Sequence, residues 1–61
     1  MSELNEAERR TVFAALVEAE DGGLSEREAR QLVGVEFGLT PEQVRVVEME
    51  GERENWPPLG E

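Results

Sequence analysis

The sequence predicts a small all-α domain of three helices, followed by an extended Trp-Pro-Pro-Leu tail. Three observations carry this reading. One helix-starting device occurs three times, glycine follows the first two segments it opens, and apolar residues recur at helical spacing within them. No segment of useful length alternates with period two, so strands are not expected. Val44-Arg45-Val46-Val47 is the one short exception, and the strong cap before it favours helix.

The first start is Leu4-Asn5-Glu6-Ala7-Glu8, the second Leu24-Ser25-Glu26-Arg27-Glu28, the third Leu39-Thr40-Pro41-Glu42-Gln43. In each, Asn, Ser or Thr can accept from an orphan backbone N–H. Three residues on, Glu or Gln can reach back to the cap residue's own N–H. A Leu precedes each cap, where a hydrophobic staple sits. Pro41 at the first helical position has a suitable φ and loses no needed donor. Ser2 competes with Asn5 as the first cap. Gly22-Gly23 and Gly38 close the first two helices, Gly51 ends or frays the third, and Pro57-Pro58 forbids helix beyond Trp56. The expected helices are roughly 5–20, 25–37 and 40–53, with ends uncertain by about 2–4 residues. They form a trihelical domain over 1–54, with 55–61 as the tail.

The expected core follows the apolar stripes. These are Val12, Phe13, Leu16 and Val17 in the first helix and Ala29, Leu32, Val33 and Phe37 in the second. In the third, Val44 and Val47 share a face with Gly51.

Composition excludes several functions. The chain has 61 residues, 15 Asp plus Glu, six basic residues that are all Arg, no His, no Cys and a net charge of −9. Disulfides, Cys/His zinc sites, a cysteine nucleophile and a histidine base are impossible. A chain near this length buries only about 60% of the surface its unfolded form exposes, which leaves little for a pocket and catalytic shell. No enzyme activity, cofactor or metal site is expected. Glu18, Glu20 and Asp21 crowd the first helix's C-terminus, where negative charge is unfavourable. They lack the spaced ligands of a calcium loop and read as a solvated face. The longest apolar run, Val12 to Val17, is far short of the ~20 residues of a membrane span. Met1 to Arg10 lacks the basic-then-apolar order of a signal peptide, and a cytoplasmic location is expected.

The link between the second and third helices is almost without loop: Phe37-Gly38-Leu39-Thr40. So short a link forces a sharp crossing. Val33 is apolar and Gly34 small where the helices approach, Gly38 makes the turn, Leu39 plugs the core, and Val44 and Val47 anchor the next helix. This pattern resembles the helix-turn-helix family. It is similar to the C-terminal promoter-reading region of sigma factors, through Phe37-Gly38-Leu39-Thr40-Pro41-Glu42-Gln43-Val44-Arg45-Val46-Val47-Glu48. The resemblance covers about residues 24–50. It implies a third helix that enters a major groove, with Thr40, Glu42, Gln43, Arg45 and Val46 outward near its start. Gln43 would then pair with adenine and Arg45 with guanine, while Arg27 and Arg30 hold phosphate. The residues also admit a plainer account. Gln43 is half of a capping box, and Arg45 suits an ion pair with Glu42 or Glu48.

Charge argues against the DNA role. From Thr40 to Glu54 there are five Glu and two Arg, a charge of −3; from Glu3 to Asp21 there are six acids and two Arg, a charge of −4. Phosphate is gripped by positive charge. A backbone clamp would require Arg9, Arg10, Arg27, Arg30 and Arg45 to converge in space.

The expected function is therefore a small acidic, non-enzymatic protein-interaction module. It is an accessory or regulatory subunit of a larger complex linked to transcription or nucleic-acid machinery, docking on a larger, basic protein. Its expected anchors are Val46, Met49, Trp56 and Leu59, on the third helix and tail. Trp is enriched at binding hot spots, and two prolines hold the tail extended. The competing fate for Trp56 and Leu59 is to fold back and close the core. The alternative function is a sequence-specific DNA-binding regulator using the third helix. No membrane partner is expected, and a homo-oligomer is left open.

Overall fold

The computed structural model describes residues 4–58. Helix α1 spans Glu6–Asp21, α2 Glu26–Phe37 and α3 Pro41–Glu54. All three open with the expected reciprocal box. Asn5, Ser25 and Thr40 accept from the N–H groups of Glu8, Glu28 and Gln43 at 2.8, 3.1 and 3.1 Å, and those three side chains accept in return from the cap N–H at 2.9, 3.0 and 2.8 Å. Asn5 is thus the first cap.

The helix ends repeat a second device. After α1, Gly23 takes a φ of 107°, and the N–H groups of Gly23 and Leu24 donate to Glu20 and Ala19 carbonyls. After α2, Gly38 takes a φ of 70° and Leu39 donates to the Gly34 carbonyl at 2.7 Å. After α3 the left-handed residue is Asn55, and Trp56 donates to the Gly51 carbonyl at 3.0 Å. Each end is a Schellman-type closure, which satisfies orphan carbonyls and turns the next residue inward. That residue is Leu24, Leu39 or Trp56. Leu24 and Leu39 also precede the next helix's cap, so one apolar side chain closes one helix and opens another. Both pack against the core.

The core comprises Val12, Phe13, Leu16, Ala29, Val33, Val44, Val47 and Trp56, drawn from all three helices and the start of the tail. Two glycines permit its close approaches. A Cβ at Gly34 would lie 2.7 Å from the Leu39 carbonyl oxygen, and one at Gly51 would overlap the Phe13 ring. Gly51 therefore does not end α3. It is buried in mid-helix because Phe13 occupies the space of its missing side chain, and the helix continues for three more residues.

Two expected core residues lie outside. Leu32 is 49% exposed and Phe37 38%. Helix α2 buries a narrow arc of Ala29, Val33 and Gly34, and Leu32 sits about 100° round from Val33. Val17 is half-buried at the core's edge. Among the described residues no helix is long and apolar enough to cross a membrane.

Candidate interaction face on the third helix

Helix α3 divides its 14 residues between two faces. Val44, Val47, Glu48 and Gly51 point inward and are buried. Glu50, half-buried beside them, turns toward α1. The two acids of this set are matched by arginines from the other helices. Arg30 of α2 donates to Glu48 at 3.0 Å, with Glu26 a further partner at 3.5 Å. Arg9 of α1 donates to Glu50 at 2.8 Å and to the Leu4 carbonyl at 2.6 Å. The hydrogen bond to Glu48 is the main cause that raises the Arg30 pKa above its ordinary value.

The other nine residues are all exposed, and among them Glu42, Arg45, Val46, Met49, Glu52 and Arg53 form the outer face. Val46 is 63% and Met49 56% exposed. They are three residues apart and so neighbours on the helix surface. With Glu48 and Glu50 matched, the segment from Thr40 to Glu54 retains three Glu and two Arg, a residual −1 rather than −3. Arg45 enters none of the ion pairs among the described residues, so neither Glu42 nor Glu48 holds it.

The residues expected at DNA fare unevenly. Thr40 and Gln43 are committed to the capping box. Arg45 and Arg27 are exposed. Arg30 is held by Glu48 and Glu26, which removes it as a phosphate contact. Arg9 lies on Glu50, and Arg10 lies on Glu6 at 2.8 Å. The five arginines do not converge into one free basic surface, because three of them serve ion pairs within the fold.

Trp56 takes the inward fate. It is 4% exposed. Its ring meets Phe13 edge-on at 6.2 Å between centroids, and the Arg10 guanidinium covers it at 5.2 Å. A buried indole offers a partner little surface, so the anchor role assigned to Trp56 is corrected to a core role. The Asn55 turn is the cause, since it sends the chain back over α1. Leu59 lies outside the described residues.

The acids at the end of α1 are not a uniformly solvated face. Glu20 is half-buried, and its Oε2 has no hydrogen-bond partner. Burial raises its pKa above the ordinary 4.5, and the charges of Glu48, Glu26 and Glu52 raise it further, while Arg30 opposes them. Among the described residues no three acids gather as a metal-holding group. A separate open groove of about 310 Å³ runs between α1 and the end of α2, lined by Leu4, Glu8, Thr11, Val12 and Phe37. Its one carboxylate, Glu8, already serves the first cap.

Sequence reasoning missed the pairs Arg9–Glu50 and Arg30–Glu48. They span 41 and 18 residues, and no local spacing signals them. It placed Val46 and Met49 off the core stripe, which is where they stand. The chain matches no protein-family model, and neither curated proteins nor solved structures provide a significant match.

Proposed function

We propose that this protein is an acidic protein-interaction module, an accessory or regulatory subunit that docks on a larger, basic partner through the outer face of α3. The observation that carries the reading is the exposed pair Val46 and Met49 on a rigid helix whose opposite face is fully engaged in the core. Methionine adapts its shape to a partner surface, and adjacent apolar side chains on an ordered helix favour docking into a groove. The domain as a whole is acidic, with a net charge of −9 and with Glu18, Asp21 and Glu36 among the exposed acids of the other helices. That field attracts a basic partner and repels phosphate. The likeness of Val33 to Glu48 to sigma-factor helix-turn-helix units supports a partner within transcription or nucleic-acid machinery.

The test is capture from native lysate by wild type and by the Val46→Asp/Met49→Asp chain, side by side. The captured protein is then purified and titrated. The reading expects a basic protein whose Kd rises by at least about tenfold with the variant, a loss of about 1.4 kcal/mol. Equal binding by both chains removes the surface assignment. Binding of a DNA duplex at low salt that weakens with Arg45→Ala replaces the reading with that of a DNA-binding regulator.

A further inference from the structure

We propose that the outer face of α3 is self-complementary and pairs, antiparallel, with the same face of a second copy of this chain. The proposal rests on the reading of that face as a docking surface and adds an occupant that regulates it.

The sequence of the face carries the inference. Glu42, Val46, Met49 and Arg53 are separated by four, three and four residues. That spacing forms one seam along a helix, the a/d spacing of a coiled coil. All four are exposed, with the Arg53 side chain at 71%. Along the seam the order is acid, apolar, apolar, base. A two-fold axis across the helix, midway between Val46 and Met49, reverses that order in the second copy. Val46 of one copy then meets Met49 of the other, and Glu42 meets Arg53, twice by symmetry. The only ion pair Arg53 makes among the described residues is with its exposed neighbour Glu54, at 3.5 Å, so it is readily redirected.

The flank agrees with the seam. Arg45 and Glu52 lie seven residues apart along one side of it. In the antiparallel pair, Arg45 of each copy approaches Glu52 of the other. This gives Arg45, which has no ion-pair partner among the described residues, an opposite charge. The acids that would oppose such a pairing, Glu48 and Glu50, are turned into the fold and matched by Arg30 and Arg9.

The interface is a single pair of short helices, below the 1,200–2,000 Å² (roughly) of a stable complex. Each copy also carries a net charge of −9. The dimer is therefore weak, with a Kd of about 0.1–1 mM. Because it covers Val46 and Met49, it competes with the docking partner.

Sedimentation equilibrium on the full chain, from about 10 μM to about 2 mM, tests this alongside charge exchange. Wild type is expected to dimerise. Glu42→Arg and Arg53→Glu are each expected to weaken the dimer by about fivefold or more, because like charges then meet at both ends of the seam. The double exchange E42R/R53E restores opposite charges and is expected to recover wild-type association. Glu42→Arg is the decisive arm, since it lowers the net negative charge and would strengthen any association governed by overall repulsion alone. Circular dichroism checks that every variant remains helical. A wild-type chain still monomeric at the highest concentration overturns the proposal. So do single variants that associate as wild type does, or a double exchange that fails to recover. A monomeric wild type that still captures a partner lost with Met49→Asp leaves the docking reading standing alone. A dimer with no captured partner leaves only the self-pairing.

Discussion

Val46 and Val47 are chemically identical neighbours, yet one is 63% exposed and the other 4%. They mark the two faces of α3, and the difference between those faces is where the function is to be sought. The inner face is closed on every count. Its apolar groups pack against α1 and α2, its acids meet Arg9 and Arg30, and Gly51 makes room for Phe13. The outer face keeps two apolar side chains and an arginine without a partner among the described residues, on a helix the inner face holds rigid. A small domain has few such contrasts to offer, because most of its apolar groups are needed for the core.

The inner face is broken most severely at its lid. Trp56→Ala removes the ring that closes over Phe13, at an expected cost of about 3–5 kcal/mol. A chain of this length has a total stability of only about 3–9 kcal/mol. Urea unfolding followed by circular dichroism should therefore show a large loss or an unfolded chain. An unchanged midpoint would return Trp56 to the anchor role that the sequence predicts.

The neighbouring valines sharpen the contrast. Val47→Ala is expected to cost about 1.5–3 kcal/mol, the value of a buried valine with its cavity. Val46→Ala should lie within about 0.5 kcal/mol of wild type, on the stabilising side because alanine is the better helix former. Equal losses at both positions, read from the same unfolding curves, would show that the outer face is packed after all.

The smallest expected effect concerns Glu20, the half-buried acid near the end of α1. Its pKa is raised in the fold, so the folded chain takes up its proton more readily than the unfolded chain. Stability from this group is present at low pH and is lost as pH rises through the folded pKa. Glu20→Gln should therefore raise the melting midpoint slightly at pH 7. Its advantage over wild type should fade as pH falls below the ordinary 4.5. A difference that stays constant across that range would assign the effect to something other than ionisation.

The elements were legible because their signals are local. Asn5, Ser25 and Thr40 each stand three residues before the Glu or Gln that completes the cap, and a helix turn brings exactly that separation together. Leu32 was misplaced because apolar character gives a face only to within the width of the buried arc, and the width is set by what packs opposite. The sequence places Gly51 on the Val44/Val47 face but also offers it as an end or fraying point, because glycine is a poor helix residue, while the Phe13 ring that requires it lies far away in sequence. The candidate face was half legible. Val46 and Met49 stood off the core stripe, but the charge around them could not be read along the chain.

By itself the sequence determined three helices, their caps, the tight turn at Gly38 and most of the core, since backbone capping and helical periodicity act over three or four residues. Only the tertiary structure decided which acids remain on the outer face of α3, that Trp56 is a core residue, and that Arg30 and Arg9 are held within the fold. Those outcomes depend on side chains 18 to 43 residues apart, and the distance between such groups is a property of how the helices pack.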